Sequence, residues 1–180
     1  MNLAVLRKRF PPPSRFRPAG EILRSEIAQY APPFIKQVRR RGRRAEGIRY
    51  ESKGQAHFLA TYPDTYVASP WFRFWPPGAK RWVWCQPDGL LIDIRRGVIT
   101  VVEFKLKHTS DAWWQVRHLY QPVVRACVGV GWEFSAVEVV RWFDPDVAFP
   151  EPIRKAPEPG SLDTDVFGVH IWSGRRRGNR

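Results

Sequence analysis

The amino-acid sequence predicts an α/β domain in which a central mixed four-stranded sheet has helices packed against it. Three observations predict this. Four stretches between residues 65 and 142 are apolar at alternate positions or throughout, the pattern of strands. Stretches with three-four helical spacing precede the first of these runs and separate the third from the fourth. Turn residues punctuate them, giving the order helix, three strands, helix, strand, which suits a layered sheet with helices.

At 180 residues the chain has room for one domain with a real core and for extra segments. Residues 1–45 read as a basic Pro/Arg-rich arm, with Pro11-Pro12-Pro13 and an arginine series ending in Arg39, Arg40, Arg41, Arg43 and Arg44. Within it Ile22, Leu23, Ile27 and Tyr30 have the spacing of one short helix, stopped by Pro32-Pro33. The core domain is expected over 46–145. Its first helix runs from Glu46 to about Leu59, with Ile48, Glu51, Gln55 and Phe58/Leu59 as the inward stripe. Thr65 to Trp75 alternates as a strand that Pro76-Pro77-Gly78 turns, and Trp82 to Ile94 with Val98 to Leu106 forms a central hairpin. Thr109-Ser110-Asp111 supplies N-cap chemistry for a second helix, whose inward positions are Trp113, Val116, Tyr120, Val123 and Cys127. Pro122 lies inside that helix and should kink it or leave a backbone carbonyl free. Phe134 to Trp142 reads as the last strand. Residues 146–180 form a Pro-rich, basic extension expected to be peripheral.

The charge balance narrows the partners. Thirty Lys and Arg against 17 Asp and Glu give a formal charge of +13, which favours polyanions. The run from Arg39 to Arg44 contains no acidic residue and is suited to phosphate contacts that carry no sequence information. Cys85 and Cys127 lack the paired spacing of a zinc site or disulfide framework and read as buried thiols of a reducing compartment. The apolar run at the N-terminus is too short for a signal peptide and no stretch approaches membrane-spanning length, so an intracellular, cytoplasmic protein is expected. The four histidines, His57, His108, His118 and His170, have no zinc spacing and read as structural or exposed. Core packing is the expected task of the aromatic cluster Trp71-Phe72-Arg73-Phe74-Trp75, ahead of base stacking. Trp113 and Trp114, adjacent on one helix, are not expected to face inward together.

The chemistry concentrates in Asp88, Glu103 and Lys105. Glu103 and Lys105 share one face of their strand, and a two-residue turn at Arg95-Arg96 pairs positions whose numbers add to 191, as 88 and 103 do. A three-residue turn would shift this register by one and send the two acids to opposite faces, unless a bulge near Pro87-Asp88-Gly89 restored them. Two carboxylates side by side repel each other, and a divalent cation relieves the repulsion. Mg²⁺ or Mn²⁺ needs only one or two carboxylates beside its waters, so Asp88 and Glu103 are a sufficient contribution, and Lys105 adds a fixed cation able to orient a water or stabilise phosphate oxygens.

Pro87-Asp88 followed by Glu103-Phe104-Lys105, within a helix, three-strand, helix, strand core over roughly residues 46–142, resembles the PD-(D/E)xK nuclease superfamily. The resemblance implies a restriction-endonuclease-like fold and a divalent-metal nuclease. In it Asp88 and Glu103 bind metal and Lys105 assists the water. It further implies an acidic metal ligand from the first helix, matched by Glu51, and a glutamine on the helix after the motif, matched by Gln115. Some members carry a tyrosine four residues beyond that glutamine; here Leu119 occupies the position and Tyr120 follows it, so no tyrosine role is carried over. The expected activity is Mg²⁺- or Mn²⁺-dependent hydrolysis of DNA phosphodiester bonds, as an endonuclease, with RNA as an alternative substrate. The competing expectation is a non-catalytic nucleic-acid-binding or assembly protein built on the same fold.

Overall fold

A computed structural model describes residues 16–35, 41–142, 154–155 and 167–172. Its strands are β1 (Arg24–Ile27), β2 (Tyr66–Ala68), β3 (Phe72–Trp75), β4 (Val83–Cys85), β5 (Gly89–Asp93), β6 (Val98–Lys107), β7 (Glu133–Trp142), β8 (Arg154–Lys155) and β9 (Phe167–Ile171). Helix α1 spans Arg43–Thr61, and α2 (Ser110–Gln115) continues through a π-helical turn, Val116–Tyr120, into α3 (Gln121–Val128). The fold is α/β. Its main sheet has the order β2-β5-β6-β7-β9-β8, antiparallel from β2 to β6 and parallel from β6 onward.

The β5-β6 hairpin has the expected register, with Gly89 opposite Val102 and Asp93 opposite Val98. Gly97 closes its loop at φ 66, a conformation glycine adopts without steric cost. β6 and β7 are buried along most of their length, as central strands covered on both faces must be. On one face Tyr50 and Phe58 of α1 pack over Val102, Phe104, Val137 and Val139. On the other Trp113, Val116 and Val123 pack over Leu90, Ile99, Val101 and Ala136.

Several expectations are corrected. The runs Thr65 to Trp75 and Trp82 to Ile94 each contain two strands, and the inner pair, β3 and β4, leaves the main sheet for a second sheet of order β1-β3-β4. The breaks fall at Ser69-Pro70, where Ser69 has φ 44, and at Gln86-Pro87. Proline has no N–H for a ladder, so both runs end where alternation alone would continue them. The stretch expected to form the short helix of the arm contains β1 instead, paired antiparallel with β3 from Arg24 to Ile27; cross-strand pairing overrides its helical spacing. The C-terminal extension is not wholly peripheral, since β9 lies beside β7 in the main sheet.

The inward stripe of α1 is Tyr50, Gly54 and Phe58, while Ile48 and Leu59 are exposed and Glu51 and Gln55 are half-buried at its margin. Gly54 allows the close approach, because a Cβ there would meet Cε1 of Phe104 at 2.3 Å. That ring is held by Tyr50 and Phe58, so Gly54→Ala is expected to cost about 1–3 kcal/mol. A thermal melt checks this, and an unchanged midpoint would show that α1 slides freely.

Pro122 has the second predicted effect. The carbonyl of His118, four residues before it, accepts from the Ala19 amide at 2.8 Å, which ties the N-terminal segment to the helix. That segment also explains why Trp113 and Trp114 are both buried, contrary to expectation. Phe16 covers Trp114 from outside, with ring centroids 6.0 Å apart.

Candidate functional site

The cluster forms at one margin of the main sheet, where β5 begins and β6 approaches its end. Beyond the last β5 pair, Gly89 with Val102, Asp88 Oδ2 accepts from the Phe104 amide at 2.7 Å. The Asp88 backbone is fixed as firmly. Its carbonyl accepts from the Ser69 amide at 3.0 Å, Gln55 Nε2 at 3.1 Å and the Tyr66 hydroxyl at 3.2 Å. Tyr66 reaches it only because residue 89 is glycine; a Cβ there would meet the hydroxyl oxygen at 2.2 Å.

Glu103 is buried, and its Oε1 accepts from Lys105 Nζ at 2.5 Å. Lys105 also donates to Gln115 Oε1 at 2.8 Å, so strand and helix hold the ammonium between them. The other Glu103 oxygen, Oε2, is buried without a hydrogen-bond partner among the described residues. Burial, then the Glu103 and Glu51 carboxylates, hold the Asp88 carboxyl well above its ordinary value, and the Phe104 amide and Lys105 pull it back only in part. Burial alone would lower the Lys105 ammonium; Glu103, Asp88 and Glu138 outweigh it and hold it above its ordinary value, so it stays charged.

The expected site residues are thus brought together from four elements. Asp88 precedes β5, Glu103 and Lys105 lie on β6, Gln115 ends α2, and Glu51 of α1 stands within electrostatic reach of Asp88. Glu51 Oε1 accepts from Gln55 Nε2 at 3.2 Å, and Glu46 is turned away, paired with Arg141 at 2.5 Å. Arg41, Arg43 and Arg44 are exposed at the start of α1; Arg39 and Arg40 lie outside the described residues. The sequence places Gln55 only in the stripe of the first helix and does not mark Ser69 or Tyr66, yet all three fix the Asp88 carbonyl. The only sequence signal was Gln55 four residues after Glu51, on the same helix face.

Tyr120 is a further addition. A π turn closes i to i+5, as Gln121 N–H donating to Val116 O shows, and Tyr120 ends that turn. It is buried, and burial, with Glu103 and Asp88 behind it, raises its hydroxyl well above the ordinary value.

The residues fit a hard divalent cation. Asp88 lies in the field of the Glu103 and Glu51 carboxyls and of the Lys105 ammonium, and Glu103 Oε2 is buried without a partner among the described residues, a charge excess a cation would neutralise. Among the described residues no group of three or more His, Cys, Asp or Glu side chains is placed to hold a metal ion, so the fit is with the pair Asp88 and Glu103 completed by water. Without metal, Asp88 binds its proton more tightly in the fold than in the unfolded chain. Its contribution to stability is complete below the ordinary carboxylate range and is lost as pH rises through the folded value. Asp88→Asn keeps an oxygen for the Phe104 amide and is expected to flatten that decline. Urea midpoints between about pH 4 and pH 8 measure it, and an unchanged slope would exclude the repulsion.

Both cysteines are free thiols, and burial pushes Cys85 up to about 12. Among the described residues no helix is long and apolar enough to cross a membrane. No protein-family model matches the chain, and neither the curated proteins nor the solved structures contain a significant match, so the chemistry of the site is to be read from its own side chains.

Proposed function

We propose that the cluster hydrolyses phosphodiester bonds in DNA with Mg²⁺ or Mn²⁺, as an endonuclease similar to the PD-(D/E)xK superfamily. The observation that carries this reading is the buried, unbonded Oε2 of Glu103 beside Asp88 and Lys105. An isolated buried carboxylate oxygen costs stability unless a ligand uses it. Asp88 and Glu103 would hold the ion, with Glu51 adding negative charge from α1. When bound, it would polarise the phosphate and lower the pKa of a coordinated water.

Lys105, clamped by Glu103 and Gln115, keeps its charge and offers an N–H to a water or phosphate oxygen. Gln115 fixes the direction of that ammonium. Arg44 lies seven residues before Glu51, two turns up the same helix face, and with Arg41 and Arg43 supplies phosphate contacts on the approach to the site. These contacts position the nucleic acid and leave sequence unread.

The test is nicking of supercoiled plasmid by the full chain with Mg²⁺, Mn²⁺ or EDTA, with DNA binding measured beside it at low salt. Nicking only with the divalent ions is expected, with Asp88→Ala inactive and its DNA binding retained. Binding without metal-dependent cleavage by the parent protein would overturn the hydrolase and leave a nucleic-acid-binding protein on this fold.

A further inference from the structure

The small sheet has two unlike faces. Its antiparallel register sets Ser25 opposite Phe74 and Phe72 opposite Cys85, while Glu26 and Trp84 both lie opposite Arg73. Residues directly opposite share a face. The first set turns to the core, where Phe72, Phe74 and Cys85 are buried and the Ser25 hydroxyl donates to the Val123 carbonyl of α3 at 2.9 Å. The second set turns outward. Strand alternation thus divides the cluster Trp71-Phe72-Arg73-Phe74-Trp75, sending its phenylalanines inward and its tryptophans, with Arg73, to the outer face.

On that face two tryptophan pairs surround one guanidinium. Trp71 meets Trp84 edge-on with centroids 6.4 Å apart, and Trp75 meets Trp82 edge-on at 5.4 Å. The Arg73 guanidinium lies 4.8 Å from the Trp82 ring and 5.9 Å from that of Trp84, and Arg24 lies 5.6 Å from Trp82. All four tryptophans are half-buried. An edge-on contact covers at most one ring face of a pair, so π-faces are left for a ligand, and a contiguous aromatic surface marks an interaction site.

Charge selects the ligand. The three strands contribute one carboxylate, Glu26, already paired with Arg24 and Arg73. The Arg24 side chain is 70% exposed, and the turn from β3 to β4 adds exposed Lys80 and Arg81 with no acid. A partner must therefore bring negative charge and flat π-groups together, as an unpaired nucleic-acid strand does. A duplex hides its base faces within its own stack. No Ser, Thr, Asn or Gln of the three strands lies on the outer face to meet a 2′-hydroxyl, which favours DNA. The face also adjoins the cluster. Gln86, two residues beyond Trp84, donates to the Ser69 carbonyl at 2.7 Å, and the Ser69 amide donates to the Asp88 carbonyl at 3.0 Å.

We infer that the outer face of the β1-β3-β4 sheet binds an unpaired stretch of a DNA strand, stacking its bases on the tryptophans and meeting its phosphates with Arg24, Lys80 and Arg81, and that it leads this strand to the Asp88-Glu103-Lys105 cluster. Binding rests on the face alone; the destination rests on the nuclease reading.

The experiment uses the full chain in EDTA, so that no cleavage intervenes. Anisotropy gives the affinity for a labelled DNA single strand, a fully paired duplex of equal length and an RNA strand of the same sequence at one salt concentration, and 2-aminopurine in the DNA strand reports stacking. The DNA single strand should bind more tightly than the duplex and at least as tightly as the RNA, with its 2-aminopurine emission altered. Trp84→Leu keeps apolar bulk without the ring and should weaken single-strand binding roughly tenfold, leaving duplex binding unchanged. Trp84→Phe should restore most of it. Trp71→Leu should repeat the loss, with circular dichroism confirming the fold of each variant, and Val83→Ala, exposed on the opposite face of the same strand, should change neither affinity.

Equal affinity for single strand and duplex, tighter binding of the RNA, or folded Trp84→Leu and Trp71→Leu variants that bind like the parent would each overturn the inference. Ring-dependent single-strand binding in a protein that never cleaves would keep this face and remove the hydrolase. Metal-dependent cleavage with no loss of single-strand binding in the tryptophan variants would remove the face alone.

Discussion

Lys105→Ala is expected to lower metal-dependent cleavage by about 10²–10³-fold, the loss seen when one fixed donor to a developing charge is removed. The ammonium has two acceptors, Glu103 Oε1 and Gln115 Oε1. Among the described residues its removal leaves both oxygens of Glu103 without a hydrogen-bond partner and takes away the cation that lowers Asp88. The site becomes more negative, so affinity for Mn²⁺ should hold or rise while turnover falls. Single-turnover cleavage with titrated Mn²⁺ separates the two, because a lysine that only braced the fold would lose metal binding and activity together. Lys105→Arg should recover little, since a planar guanidinium does not fit a point-charge position between two carbonyl-type oxygens.

His108→Ala should destabilise the protein by about 3–5 kcal/mol, the range for leaving a buried charged partner alone. His108 Nδ1 lies 2.6 Å from Glu138 Oε2, both side chains are 0% exposed, and the Thr109 amide donates to Glu138 Oε1 at 3.3 Å. Burial pushes the Glu138 carboxyl up, and the histidine draws it back. Without His108 the carboxyl has only that long amide bond among these contacts. Urea unfolding measures the loss, and the double variant His108→Leu with Glu138→Leu should regain most of it, because apolar groups of similar volume replace a buried pair at little cost. A single-variant loss below about 1 kcal/mol would mean that water reaches the pair. Glu138 lies opposite Glu103 across β6 and β7, so the pair also sets the ground beneath the reactive cluster.

The central hairpin was legible because its signal is local. Two apolar runs and a short turn fix a register, and the register brings Asp88 to Glu103. The second helix was legible for the same reason, down to the backbone group released by Pro122. The split of the two long strand runs was not, since residues 65–75 and 82–94 keep alternating while the chain passes from one sheet to another. Only Pro70 and Pro87 mark the crossing. The strand at Arg24–Ile27 and the second buried tryptophan were hidden for a different reason. Each depends on a partner far along the chain, β3 for the strand and Phe16 for Trp114. Glu51 and Gln115 came from family likeness, and their placement near Asp88 and Lys105 is a matter of packing that spacing does not encode. His108 passed as an ordinary structural histidine because its partner lies thirty residues away.

β9 has a consequence for how the polypeptide acquires its shape. During synthesis β7 leaves the ribosome well before Phe167–Ile171, and until those last residues arrive its outer backbone groups, beside Val137, Val139 and Val140, form a bare border. An apolar strand with such a border pairs readily with any neighbour, including another nascent copy. Closure comes late, when β9 docks and the Trp172 carbonyl accepts from the Tyr50 hydroxyl at 2.9 Å, fastening the first half of α1 to a segment made more than a hundred residues later.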